Sequence, residues 1–162
     1  MRWPVDAPRI RASSDNNTFG NVRTGADGKP RCHQGWDFSA QVGTPCYAIC
    51  AGTVHKVENR GDYGLQLTLK LDAPKAGAGF AFYAHLDRAD VKAGDRVTEG
   101  QILGACGNTG NAVNLQDSAD HLHFEARVIA GPGKGLSGRI SPLKWFGVCP
   151  LHETLDGSAT VA

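Results

Sequence analysis

The clearest alternation of polar and apolar residues in the chain runs from His121 to Glu125. On a strand, where side chains alternate between the two faces, both histidines of this stretch and Glu125 lie on one face, while Leu122 and Phe124 point into a core. Similar patterns predict strands over residues 37–40, 46–51, 53–57, 65–71 and 80–86, with a tight hairpin between 46–51 and 53–57. Residues 91–104 predict a compact ribbon of two short strands. The pattern predicts an all-β fold with little helix.

Length and composition predict a single domain over residues 1–162. The 21 glycines have no collagen-like period and indicate many tight turns between short strands. The 17 basic and 16 acidic residues are scattered, which argues against nucleic acid as a partner. No apolar run approaches the ~18 residues of a membrane span, and no signal-peptide core is visible. Residues 1–31 read as an irregular lead-in that packs only around Trp3 and Phe19.

Five cysteines are many for a cytosolic domain of this size and predict an oxidising compartment, with two disulfides and one free thiol. Their pairing cannot be derived from the spacing. A structural zinc site of four cysteines is the alternative, although paired cysteines separated by two residues are missing. The five are Cys32, Cys46, Cys50, Cys106 and Cys149.

The histidines offer candidate metal ligands, but a His-x-His pair alone is weak evidence for a site. His33 and Asp37 are four residues apart, about 13 Å on a straight strand, so the chain must bend at Gly35 if both bind one ion. His85 ends an apolar strand, and a buried core histidine is the alternative interpretation there. We expect the two remaining histidines to be solvent-exposed and without a site role: His55 and His152.

Together these motifs resemble the lysostaphin-type, or LytM-type, zinc metalloendopeptidases that cut peptidoglycan peptides. The resemblance covers about residues 19–128, leaving 1–18 as the lead-in and 129–162 as a divergent tail. The matching segments, in family order, are Phe19-Gly20, His33-x-Gly35-x-Asp37, Ala51-Gly52-Thr53-Val54, Tyr83-Ala84-His85-Leu86, Val91 to Gly104, Gly107-Asn108-Thr109-Gly110 and His121-Leu122-His123-Phe124-Glu125.

The resemblance implies a mainly antiparallel sheet with a long groove and one zinc ion per chain. The implied metal ligands are His33, Asp37 and His123. The implied catalytic residues are His85 and His121, which would take a proton from water and donate to the developing oxyanion. Two further residues are expected to support the site from behind these groups: Glu125, by orienting an imidazole, and Tyr83.

The implied activity is hydrolysis of peptide cross-links in bacterial peptidoglycan, with D,D-endopeptidase action on D-alanyl-diaminopimelate bonds favoured over cutting of glycine bridges. We expect a monomer that acts on stem peptides in the periplasm, or as a secreted or delivered antibacterial toxin. The sequence leaves open whether an inhibitor or immunity protein is a second partner. The alternatives are a non-catalytic wall-binding or amidase-regulating module of the same fold, a biotinyl or lipoyl carrier, and a thiol protease using Cys32.

One segment departs from the family pattern. Residues 111–120 form a longer link to the His-x-His strand than family members usually have, and the link contains no glycine or proline. We expect this polar link to build a different groove wall, which would suit the charged groups of diaminopimelate better than uncharged glycines.

Overall fold

The computed structural model describes residues 1–113, 115 and 119–161. Within that part of the chain the fold is mostly antiparallel β-sheet with little helix, as predicted. A four-residue helix, α1, covers Leu143–Phe146. The strands are β1 (Gly20–Thr24), β2 (Pro30–His33), β3 (Trp36–Ser39), β4 (Pro45–Tyr47), β5 (Gly52–Asn59), β6 (Leu65–Lys75), β7 (Ala78–Ala89), β8 (Arg96–Val97), β9 (Ile102–Cys106), β10 (His121–Arg127) and β11 (Arg139–Ile140).

Strand β10, which carries the His-x-His motif, lies inside the larger sheet. The main path of this sheet runs β11-β10-β7-β6-β5-β8, with β3 paired to β10 and β9 paired to both β4 and β7. Strands β1 and β2 form a separate antiparallel hairpin. Because β10 pairs with β3, β7 and β11, its seven residues are all buried. The polar side chains of β10 are therefore buried and do not form a solvated surface.

An aromatic cluster joins the two ends of the chain to the sheet. The ring of Trp3 stacks on Phe146 at a centroid distance of 4.2 Å and lies 6.5 Å from Trp36. Phe124 on β10 contacts Phe146 from the core side of the sheet. Trp3 is buried as predicted. The lead-in and the tail contribute more to the core than the sequence indicated, because the apolar face of β10 has to be packed against other elements.

Two pairings predicted from the sequence are wrong. The strand expected over 46–51 is only β4, which pairs with β9, so no hairpin joins it to β5. The ribbon expected over 91–104 does not form either, because β8 pairs with β5 while β9 pairs with β4 and β7. Short strands contain little information about their partners, and distant core contacts decide the pairing. The strands expected over 53–57, 65–71 and 80–86 are confirmed and are longer than predicted.

The disulfide prediction is also wrong, since all five cysteines are free thiols. Cys46 and Cys106 are buried in the core, and the other three cysteines are half-buried. The four-cysteine zinc site is absent as well: among the residues that the structure describes, the one group with metal-ligand geometry contains no cysteine. A chain of this length can bury a sufficient core without covalent cross-links, and the small cysteine side chain packs there as an apolar group.

Candidate metal centre

The pairing of β10 with β3 places two of the predicted ligands side by side. His123 lies directly opposite Asp37, and His121 lies opposite Ser39. Directly opposed residues of an antiparallel pair have Cβ atoms about 4.5–5.5 Å apart, so their side chains can meet on one face. On the other face Leu122 and Phe124 are fully buried in the core, as the alternation predicted.

The third ligand reaches the same point because the chain bends between β2 and β3. His33 ends β2 and Asp37 lies in β3, with Gln34 and Gly35 between the two strands. A Cβ atom on Gly35 would lie 2.1 Å from the carbonyl oxygen of Phe124, so only glycine allows the bend to pack against β10. The bend that the four-residue spacing required at this glycine is present.

Three donor atoms converge at this point. Asp37 Oδ1 lies 3.1 Å from His33 Nε2 and 2.8 Å from His123 Nδ1, and the two nitrogens are 3.2 Å apart. Ligand atoms of a tetrahedral zinc site with bonds of about 2.0–2.1 Å are separated by roughly 3.3 Å. The three residues are the one group of histidine, cysteine and acidic side chains with metal-ligand spacing among the described residues.

When both imidazoles are neutral, as a bound cation requires, their outer hydrogen bonds leave the inner nitrogens free of protons. His33 Nδ1 donates to the carbonyl oxygen of Thr18 at 2.8 Å, and His123 Nε2 donates to Glu125 Oε1 at 3.0 Å. A neutral imidazole has one N–H, so His33 Nε2 and His123 Nδ1 then present lone pairs to each other and to Asp37. Three facing acceptors need a cation, and two nitrogens with one carboxylate oxygen fit zinc.

The protonation behaviour of these groups also shows that the centre attracts positive charge. Burial alone would lower the pKa of His123, but hydrogen bonds to Asp37 and Glu125 outweigh it and raise the pKa to about 9. Burial would raise the pKa of Asp37, yet its bonds to His123 and His33 hold it well below the usual range. In the metal-free protein a proton on His123 therefore supplies part of the missing charge.

The two predicted catalytic histidines flank the three predicted ligands. His85 has a left-handed φ of 61° at a bulge in β7, where three steps of β7 oppose two steps of β6. The bulge turns His85 away from the core although Tyr83, two residues earlier, points into it. The rings of His85 and His121 are 4.9 Å apart, and His121 Nε2 lies 3.8 Å from Asp37 Oδ1.

Backbone carbonyls fix the tautomers of both flanking histidines. His85 Nδ1 donates to the carbonyl oxygen of Thr109, and His121 Nδ1 donates to that of Ala119, each at 2.9 Å. The Nε2 atoms therefore carry lone pairs. Burial, followed by repulsion from the neighbouring imidazoles, lowers the pKa of His85 to about 4. Burial also lowers the pKa of His121. Both rings are thus neutral proton acceptors near pH 7.

Glu125 contacts His123 Nε2 at 3.0 Å, the kind of contact expected of a residue that orients an imidazole. Besides His123, the fully buried carboxylate accepts from the Tyr63 hydroxyl at 2.7 Å. Arg127 Nε at 2.7 Å and Arg139 Nε at 2.5 Å donate to its other oxygen. Sequence reasoning missed all three partners. Tyr63 lies between the strands predicted over 53–57 and 65–71, 62 residues from Glu125, and no local pattern marks it.

Tyr83 does not occupy the supporting position predicted for it. Its hydroxyl donates to the carbonyl oxygen of Tyr47 at 3.0 Å and accepts from the backbone N–H of Ile49 at 3.3 Å. The ring packs against Phe124 on the core side of β10, across the sheet from the metal ligands. The tyrosine that contacts the supporting carboxylate is Tyr63.

Arg23 is a further neighbour that sequence reasoning missed. Its Nη2 lies 2.9 Å from Asp37 Oδ2, so it holds the carboxylate oxygen that faces away from His33 and His123. Asp37 is almost fully buried, whereas the Arg23 side chain is 30% exposed. A basic residue ten positions before His33 has no local pattern that marks it, and only the β1–β2 hairpin brings it to the site.

The centre lies at the bottom of a cleft of about 660 Å³. The walls include residues of β2, the Tyr63 turn, and the loop at 132–135. The groove wall expected from residues 111–120 lies partly outside the described residues, at positions 114 and 116–118. Asn111 and Leu115 do line the cleft. The two histidines without a predicted role, His55 and His152, are exposed as expected.

Comparison with known families gives one clear match. The sequence model of the family described as peptidase family M23 matches residues 31–135. This is more than half of the chain, and it contains all five proposed site residues. The chain is 30% identical over 125 residues to the peptidoglycan DD-endopeptidase ShyC of Vibrio cholerae, covering 77% of this chain and 26% of that protein. The chain spans about a quarter of the length of the curated relatives it matches.

Solved structures agree with the fold. LytU is 30% identical with a TM-score of 0.68, and the match covers 94% of this chain and 93% of that one. A zinc-containing peptidase from Vibrio cholerae is 30% identical with a TM-score of 0.62, over 76% of this chain and 35% of the other. In the part of the chain that the structure describes, no helix is long and apolar enough to cross a membrane.

Proposed function

Because the chain belongs to peptidase family M23, we propose that it is a zinc-dependent endopeptidase that hydrolyses peptide cross-links of bacterial peptidoglycan. The observation that carries this proposal is the convergence of one carboxylate oxygen and two imidazole nitrogens, all within 3.2 Å of one another, at the floor of a cleft. Two more neutral imidazoles flank these donors. This set matches a hydrolytic metal site better than a structural one.

In this proposal His33, Asp37 and His123 hold one zinc ion. When bound, zinc supplies a Lewis acid for the scissile carbonyl and brings the pKa of water near 7. The two neutral histidines and one carboxylate leave the centre with a net charge of +1, and three protein ligands leave a coordination position open. Glu125 orients His123, and Arg23 orients Asp37, so both ligands are held before the metal arrives.

His121 is the proposed general base. Its Nδ1–H is fixed on the Ala119 carbonyl, and its free Nε2 points toward the centre, 3.8 Å from Asp37 Oδ1. An attacking water near Asp37 can therefore give its proton to Nε2. Burial keeps this ring neutral near pH 7, so the acceptor is available in most molecules.

His85 lies on the other side of the same space. Its Nδ1–H is held by Thr109, so Nε2 can accept a proton but can donate to an oxyanion or a leaving amine only after the ring has been protonated. With a pKa of about 4 the resulting imidazolium is a strong acid that releases its proton readily. We assign His85 the relay of the second proton of the attacking water: Nε2 first accepts this proton and then gives it to the departing amine, a narrower role than the sequence suggested.

We propose that the bond is the D-alanyl-diaminopimelate cross-link rather than a glycine bridge. The relative ShyC is described as a DD-endopeptidase and matches over 77% of this chain. The cleft walls also carry several basic side chains, which suit a substrate with free carboxylates. Such a substrate is found in the periplasm or, for a secreted or delivered enzyme, in the wall of another cell.

The experiment compares two defined substrates. Zinc-loaded protein is incubated with disaccharide-peptide dimers cross-linked through D-alanyl-diaminopimelate and with pentaglycine-bridged dimers, and the products are identified by mass spectrometry. We expect monomers from the first set and none after chelation. Cleavage of only the glycine-bridged set would overturn the choice of bond. No cleavage of either, with zinc bound, would favour the non-catalytic module, although such modules typically lose ligands and all five site residues are present here.

A further inference from the structure

The ionised side chains along the cleft are mostly basic. The cleft is lined by Arg11, Arg23, Arg31 and Lys134, whereas the chain as a whole is almost neutral at +1. Among the described residues that line the cleft, Asp62 is the one exposed acidic side chain. Because the centre itself would carry positive charge with zinc bound, the cleft concentrates positive potential where a substrate has to lie.

Two of these cations come from one hairpin. Arg23 on β1 and Arg31 on β2 are directly opposite each other, an arrangement that is unfavourable for like charges. Arg23 is compensated by Asp37, 2.9 Å away. Arg31 is exposed and has no ion pair or hydrogen bond with any residue that the structure describes. An anionic ligand would complete this pair of charges.

The Arg31 side chain also lies along the cleft, on the side of β2 that carries His33. It precedes His33 by two residues on β2, so both side chains lie on the same face of the strand, about 6.6 Å apart along the backbone. His33 is buried at the bottom of the cleft and Arg31 is exposed at its edge. A peptide whose scissile carbonyl lies at the centre would therefore pass Arg31 within about two residues of that bond.

Lys134 approaches from the facing loop. Arg139 Nη1 donates to the carbonyl oxygens of Gly133 and Gly135, both at 2.8 Å, and Gln34 Nε2 donates to Gly135 at 3.2 Å. The backbone on each side of Lys134 is thus anchored next to the residue that follows His33. Lys134 itself is exposed and has no described partner for its ammonium group.

We propose that Arg31 and Lys134 form a carboxylate-binding subsite that selects anionic stem peptides. This subsite rests on the proposed function and specifies its substrate class. The preferred substrate is a stem peptide with a free carboxylate next to the scissile bond, rather than the same peptide with that group amidated. A guanidinium can bind the carboxylate through two N–H groups, and the lysine adds a second charge.

The test uses pairs of synthetic stem peptides that differ only in a carboxylate or carboxamide on the diaminopimelate or D-glutamyl residue. Binding to zinc-supplemented protein is measured by calorimetry. We expect wild type to bind the carboxylate peptide about 10-fold tighter, with Arg31→Gln and Lys134→Gln each reducing that preference about threefold. Lys144→Gln, an exposed lysine on α1 outside the cleft, is the matched control and should behave as wild type.

Equal affinity for both peptides, no binding of either, or a preference that survives both substitutions would overturn the subsite. Cleavage of the corresponding dimers is measured separately. If binding shows the preference but no dimer is cut, the subsite stands and the proposed function fails. If carboxylate and carboxamide dimers are cut with the same kcat/KM, the function stands and the subsite fails. High salt should weaken the preference, because the subsite is exposed.

Discussion

Replacing Glu125 with glutamine changes one oxygen to an amide nitrogen and removes a fully buried charge. The carboxylate has four partners in the structure: His123, Tyr63, Arg127 and Arg139. Both arginines are at least nine-tenths buried, so their charges cannot be solvated by water when the carboxylate is lost. The glutamine keeps the shape of the side chain, which confines the change to charge and hydrogen bonding.

The expected effect on stability is large. Removing one partner of a buried ion pair typically costs about 3–5 kcal/mol, because the remaining charge stays buried without compensation. The loss of the partner that orients a metal-bound histidine typically lowers metal affinity by about 10- to 100-fold. The zinc-loaded form of Glu125→Gln should therefore lose roughly 1.4–2.7 kcal/mol beyond the loss in the metal-free form, at saturating zinc for the wild type.

Urea unfolding with and without zinc, together with a chelator competition for the zinc dissociation constant, measures both effects. The control is Glu58→Gln: this side chain is 26% exposed and pairs with Lys56, so its loss should change the free energy of unfolding by less than ~1 kcal/mol. A Glu125→Gln protein within 1 kcal/mol of wild type and with unchanged zinc affinity would refute the idea that this carboxylate supports the metal centre.

Four further predictions follow from the same geometry. In metal-free protein the pKa of His123 is raised to about 9 from an ordinary 6.5, so the protonated ring contributes stability that is fully present below pH 6.5 and is lost as the pH rises through 9. Equal unfolding free energies at about pH 6 and about pH 9.5 would contradict this. His121→Ala and His85→Ala should keep zinc but lower turnover by about 10²–10⁴-fold, and near-normal activity would remove that histidine from the mechanism. Arg23→Met should weaken zinc binding about 10-fold by releasing Asp37, with partial recovery in Arg23→Lys. Thiol counting in denaturant without reductant should give five free thiols, and a lower number would reveal a disulfide.

The sequence allowed the strand with the His-x-His motif and the bend at Gly35 to be predicted because both depend on local rules. The alternation from His121 to Glu125 fixes which side chains share a face, and the register of β10 against β3 agrees with it. The spacing of His33 and Asp37 required a bend at Gly35, and the close approach of Phe124 shows why glycine is needed there. The family resemblance selected the proposed ligands, since spacing alone does not distinguish between the two histidines of the His-x-His motif.

The remaining features depend on contacts between distant parts of the chain. Whether His85 faces the cleft is decided by one extra residue in β7, a bulge that no composition signal marks. Tyr63 and Arg23 reach the centre from a turn and a hairpin whose sequences predict only local structure. The cysteine count led to a wrong expectation because cysteine also packs well as a small apolar residue, so number alone does not establish an oxidised state.

The central claim is that one zinc ion on three residues drives hydrolysis, and a zinc titration of cleavage tests it most directly. Metal-free protein is supplied with increasing zinc, and release of monomers from D-alanyl-diaminopimelate dimers is followed together with bound metal. We expect activity that rises from zero and saturates at one zinc per chain, with neither binding nor activity in Asp37→Ala at the same concentrations. Full cleavage by chelated wild type, or equal zinc binding and cleavage by Asp37→Ala, would contradict it.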